Sequence, residues 1–189
     1  VGEAMPHPSL FTADLSPDGA RMLTASHEGT ARLWDVATGK PLGEPMVHDA
    51  EVWHSAFSPD GRTLVTTSRD GFARVWDLNG VADRPRPSSS SSSFSSLVGE
   101  AKDDQNAEGS RTRTRDEDDT ETDSRLRLPP LAHPVEVHVV SISPDSERVV
   151  TGCLDGVARL WSLRTGQAIG RPMRHRGLVW SVSFNHDGS

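Results

Sequence analysis

Three side chains near the middle of the chain could do hydrolytic chemistry. Ser68 and Asp70 lie in "FSPDGRTLVTTSRDGFARVWD", which runs from Phe57 to Asp77, and His48 lies upstream. A serine nucleophile, a histidine base and an aspartate that orients the base make an acyl-transfer triad. Such a site also requires an exposed nucleophile at a cleft, with donors for an oxyanion. It must be unique as well, and this constellation recurs. His7, Ser26, Glu28 and Trp34 occupy equivalent places earlier, and His133, Cys153, Asp155 and Trp161 later. A nucleophile is rarely supplied once per repeat, whereas a structural clamp must be. Cys153, in the serine place, reads as a small buried residue with a weak S–H donor. No catalytic residue is assigned.

The elements that position these groups repeat too. "LSPDGARMLTASHEGTARLWDVATG" starts at Leu15, "FSPDGRTLVTTSRDGFARVWDLNG" at Phe57 and "ISPDSERVVTGCLDGVARLWSLRTG" at Ile142. A further copy opens as "FNHDGS" at Phe184. Trp34 and Trp76 are 42 residues apart, and His48 to Trp76 and His133 to Trp161 are both 28. Segments such as "RTLVTTS" and "FARVWDL" are rich in β-formers, and the Asp-Gly pairs between strands suit tight hairpin turns. The proline-containing stretches "GEPMVH" and "GRPMRH" suit an outer edge strand, where a missing N–H costs least. Four antiparallel strands per repeat is the make-up of a β-propeller blade.

One stretch breaks the period. Between Trp76 and His133 lie "PSSSSSSFSS" and "RTRTRDEDDTETDSR". Serine-rich and mixed-charge tracts carry too little apolar surface to offset the entropy of ordering them. Residues 81–127 are therefore expected to form a disordered insertion. It would separate a repeat region over 1–80 from a third repeat and the start of a fourth over 128–189.

The "RLWD" and "RVWD" ends, the "SPDG" turns and the histidine about 28 residues before tryptophan resemble the WD-repeat family. The third repeat departs from that pattern with Trp161-Ser162, and the first has Glu28 where the turn aspartate is expected. The resemblance implies an all-β fold: a partial β-propeller of about three four-stranded blades in an open arc. It also implies a structural network in which the Trp76 indole donates to Ser68, Ser68 to His48, and His48 reaches Asp70. Arg32, Arg74 and Arg159 recur at one strand position and are expected to meet the turn carboxylates. Alignment back from the "SPDG" turns places Phe11, Trp53, His138 and Trp180 at one position. The resemblance puts it on the top rim of the central channel, with Arg69 and its counterparts His27 and Leu154 on the same face. Such a ring of aromatics would suit protein binding.

Composition narrows the function. A net charge of −7 argues against a general nucleic-acid binder. No apolar run is long enough for a bilayer-spanning helix, so no membrane partner is expected. The histidines lack metal-ligand spacing and no cofactor is implied. One cysteine in the chain fits a reducing compartment, and a cytoplasmic location is expected. Val1 falls inside an outer strand and Ser189 in a hairpin turn, so the sequence reads as part of a longer chain that supplies the remaining blades. The expected function is a non-catalytic scaffold for protein–protein interaction. The connectors also resemble those of long bacterial WD-repeat proteins. The alternative is thus the regulatory propeller of a larger signalling enzyme, such as a serine/threonine kinase.

Overall fold

The computed structural model describes residues 9–79, 81, 123 and 125–188. His7, and the serine-rich and mixed-charge tract over 82–122, lie outside the described residues. Twelve strands in these residues form three four-stranded antiparallel sheets. The first holds β1 (Leu10–Leu15), β2 (Arg21–Ser26), β3 (Thr30–Asp35) and β4 (Met46–Val47). The second holds β5 (Val52–Phe57), β6 (Thr63–Ser68), β7 (Phe72–Asp77) and β8 (Leu131–Ala132). The third holds β9 (Val137–Ile142), β10 (Arg148–Cys153), β11 (Val157–Ser162) and β12 (Ala168–Arg174). Each sheet is one blade of a partial β-propeller, and neighbouring blades meet along their first strands, β1 against β5 and β5 against β9.

The first hairpin of each blade is built by its "SPD" residues. Ser58 Oγ donates to Asp60 Oδ1 and accepts from the Thr63 amide at 2.9 Å, while Asp60 accepts from the Arg62 amide at 3.0 Å. Ser16 with Asp18 and Ser143 with Asp145 repeat this knot. These short side chains take backbone donors that a tight turn cannot pair within itself. Gly61 closes the second-blade turn at φ 67°, whereas Ser146 takes φ 59° in the third. A side chain in this left-handed region costs about 1–2 kcal/mol that glycine avoids.

Strand β6 is buried along its whole length because it faces two neighbours. Leu64 packs with Leu23, Leu33, Trp76 and Leu78 toward the first blade. Val65 packs with Val75, Val137, Val149 and Trp161 toward the third. Each fully buried leucine or valine is worth about 1.5–3 kcal/mol, so the middle blade contributes to two cores.

The far edge of the insertion differs from expectation. Residues 125–127 were expected within the disordered segment, but they pair with β7. The Asp77 amide donates to Arg125 O and the Arg127 amide to Val75 O, both near 2.8–2.9 Å, around a bridge between Trp76 and Leu126. Leu126 supplies the apolar contact that the charge-rich sequence around it hides, since it packs against the core holding Trp76.

Candidate functional site

The second blade carries a buried chain of hydrogen bonds that starts at tryptophan. Trp76 Nε1 donates to Thr66 Oγ1 at 2.8 Å, and Thr66 Oγ1 lies 3.0 Å from His48 Nε2. The other ring nitrogen, Nδ1, lies 2.8 Å from Arg74 Nη1, which also donates to Asp70 Oδ2 at 2.6 Å. A guanidinium can only donate, so Nδ1 accepts and Nε2–H donates to Thr66. Burial, and then the Arg74 charge, hold the His48 pKa down at about 3, so the ring is neutral.

The third blade uses the same residue types with the opposite polarity. Trp161 Nε1 donates to Thr151 Oγ1 at 2.9 Å, and Thr151 Oγ1 lies 2.8 Å from His133 Nε2. His133 Nδ1 lies 2.8 Å from the Leu131 carbonyl, which can only accept. The proton is therefore on Nδ1, and Nε2 accepts from threonine. Burial lowers the His133 pKa to about 4. Arg159 sits 3.8 Å from Asp155 and donates to Cys153 Sγ at 3.6 Å. Burial raises the Cys153 thiol to about 11, so it carries no thiolate near neutrality. In the first blade Trp34 Nε1 donates to Thr24 Oγ1 at 2.7 Å.

Three expected links therefore run differently. The hydroxyl on the indole is Thr66, not Ser68. Trp76 pairs with Leu64 across the ladder, so its indole meets the residue two further along β6, and Ser68 lies another two beyond. Ser68 instead begins the β6–β7 turn: its Oγ donates to Ala50 O at 3.1 Å and accepts from the Asp70 amide at 3.2 Å. Ser26 likewise accepts from the Glu28 amide at 3.2 Å. Second, His48 reaches Asp70 only through Arg74, because the guanidinium fills the space between them. Third, Ser68 does not donate to His48, whose Nε2 faces Thr66 instead. In the third blade the Asp155 carboxylate accepts from the Val157 amide at 3.0 Å. Glu28 accepts from Ser9 Oγ at 3.2 Å. His7 lies outside the described residues.

The turn after Asp70 is fixed by Gly71 (φ 85°), where an added Cβ would stand 3.2 Å from the His133 carbonyl. That close approach docks each turn on the connector carrying the next clamp histidine.

The expected rim residues lie together, and the ladders show why. The pairing of β1 with β2 skips Phe11, that of β5 with β6 skips Trp53, and that of β9 with β10 skips His138. Each is the extra residue of a β-bulge, a device that re-aims one side chain out of the strand alternation. The rings follow one another: Phe11 to Trp53 edge to face at 5.1 Å, Trp53 to His138 tilted at 5.4 Å, and His138 to Trp180 edge to face at 5.0 Å between centroids. His27 adds a contact 4.8 Å from Phe11. Phe11 is 44% and Trp180 66% exposed, while Trp53 Nε1 and His138 Nδ1 are buried without a protein partner. Arg69 spans two blades, with Nη1 3.1 Å from Glu51 and Nε 3.0 Å from Glu136.

A family model described as "WD domain, G-beta repeat" matches residues 6–35, 39–77 and 128–162, more than half of the chain. The chain belongs to the WD-repeat family. No curated protein matches it. Among solved structures, it is similar to the computationally designed Ika8 protein at 18% identity, with a TM-score of 0.63 over 93% of this chain. It spans 40% of that protein's length. The likeness shows a shared fold.

In these WD repeats the residue that sequence reasoning missed is a threonine. Thr24, Thr66 and Thr151 stand ten positions before Trp34, Trp76 and Trp161. That constant spacing, together with the hairpin register, is the signal that identifies them.

Proposed function

We propose that this chain is a non-catalytic docking module that holds protein partners on its aromatic rim. WD repeats support a scaffold role in protein–protein interaction. The observation that carries the site is the row of bulge residues. Three successive blades use a bulge to turn Phe11, Trp53 and His138 toward one another, and Trp180 extends the row. Exposed aromatics clustered this way favour an interface, because large rigid rings supply much of the energy of protein association.

Ser68 supports the non-catalytic half of the reading. Its hydroxyl is fully buried and bound to Ala50 O, and its neighbour His48 is engaged by Thr66 and Arg74. A base whose two nitrogens are both committed elsewhere does not activate that serine. The alternative, a regulatory propeller of a larger signalling enzyme, is a proposal about sequence outside this chain. A kinase glycine-rich loop in the same gene product would support it.

The test is Trp53→Ala with Trp180→Ala in the full chain. Proteins captured by the wild type are identified by mass spectrometry, and folding is followed by circular dichroism. Loss of the captured partners with an unchanged spectrum is expected. Equal capture by the double variant would contradict the proposal.

A further inference from the structure

The charge around Trp53 names the chemistry of the segment that binds there. Glu51 and Glu136 each stand two residues before a bulge residue, in Glu51-Val52-Trp53 and Glu136-Val137-His138. Between them lies the Arg69 guanidinium, half exposed, with one nitrogen on each carboxylate. The molecule thus shows that a guanidinium fits this pair of carboxylates beside the ring series. Glu51 is held ionised, its pKa lowered first by a backbone hydrogen bond and then by Arg69. Glu28 and Asp49 are exposed near the same turns, Glu28 against Ser9 and Asp49 3.5 Å from Arg74. Asp70 already neutralises Arg74, so carboxylates outnumber cations among these turn residues. The balance changes toward Trp180, where Leu178 stands at the place of Glu51 and Arg176 at that of Asp49.

Resting on the rim reading above, we propose that the rim takes a basic segment of a partner protein. An arginine or lysine side chain lies against the Trp53 ring and takes over the two glutamates from Arg69. An aromatic face attracts a cation directly, and the flanking carboxylates add to that attraction. Arg69 is then a resident competitor, displaced on binding. The charge change along the rim sets direction, with the partner's basic residue at Trp53 and its apolar or acidic flank at Trp180. An acidic segment would find one exposed guanidinium already shared by two glutamates, and like charge on either side.

The experiment titrates the nitrogen-15-labelled full chain with short acetylated alanine-glycine peptides. Each carries a central Arg, Lys, Glu or Leu. The Trp53 indole N–H signal, assigned with Trp53→Phe, is the readout. The Arg and Lys peptides are expected to shift it, and the Glu and Leu peptides to leave it in place. Glu51→Gln with Glu136→Gln is expected to weaken the Arg peptide by about threefold to tenfold, the worth of exposed ion pairs. Arg69→Ala, which keeps both carboxylates, is expected to tighten it by about twofold to fivefold. The proposal is overturned if no peptide moves the signal, if the double glutamine variant binds equally, or if the Glu peptide binds through Arg69. Partner capture separates the two readings. Capture lost in the double tryptophan variant but kept in the double glutamine variant leaves the rim function standing and removes the basic-segment class. Capture kept in the double tryptophan variant removes the rim function itself.

Discussion

The second and third blades use the same types of residue and connect them differently. In both, tryptophan donates to a threonine that lies against a histidine. In the second, Arg74 presses on Nδ1 and the ring donates to threonine. In the third, Nδ1–H donates to the Leu131 carbonyl and Nε2 accepts from threonine. The charge pair behind the ring contracts to 2.6 Å between Arg74 and Asp70 and relaxes to 3.8 Å between Arg159 and Asp155. Packing follows the same division. The second blade has a neighbour on either side and fully buries β6, whereas β12 of the third is exposed throughout. A repeated sequence thus specifies a repeated scaffold, while each clamp's proton positions depend on which group backs the histidine.

The largest expected effect is at the shared threonine. Thr66→Val keeps the shape and removes the acceptor, leaving the Trp76 N–H and the His48 Nε2–H buried without partners. The expected cost is about 2–4 kcal/mol by urea denaturation. Thr151→Val strands one donor, the Trp161 N–H, and one acceptor, His133 Nε2, and should cost a similar amount, about 2–4 kcal/mol. Ser68→Ala, which loses the bond to the Ala50 carbonyl and the one from the part-buried Asp70 amide, should cost about 1–2 kcal/mol. A Ser68→Ala cost equal to that of Thr66→Val would erase the distinction between clamp and turn.

Acid comes next. Both folded histidine pKa values lie below the ordinary 6.5. The unfolded chain therefore binds more protons, and stability present above pH 6.5 is lost as pH falls. Each histidine should cost about 2 kcal/mol at pH 5. Both contributions are lost on the way down to about pH 3–4. Stability measured from pH 7 to pH 3.5 should thus lose part of its slope in both His48→Gln and His133→Gln. A slope unchanged by either substitution would contradict a buried, neutral ring in the folded chain.

The smallest effect is in the first hairpins. Ser146→Gly should stabilise the third blade by about 0.5–1 kcal/mol, since it gives that turn the residue Gly61 supplies in the second. A thermal midpoint that falls would show that the serine side chain contributes more than its backbone strain costs.

Much of this was legible in the sequence. Repeat spacing and "SPDG" turns give the blades, and counting back from those turns groups Phe11, Trp53, His138 and Trp180. Choosing between Thr66 and Ser68 was not possible from residue type. Both are hydroxyl residues on one face of a strand buried on both faces, so hydrophobic alternation carries no information there. The hairpin register decides, by pairing Trp76 with Leu64. Arg74 was expected against a turn carboxylate, yet its contact with His48 depends on three-dimensional spacing that the one-dimensional pattern lacks. Leu126 was hidden by the charged residues beside it.

The imidazole nitrogen-15 shifts of His48 and His133 at pH 7 test the central claim, that like residues are wired oppositely, most directly. His48 should carry its proton on Nε2 and His133 on Nδ1, both rings neutral. The same tautomer in both, or a protonated His48, would contradict it.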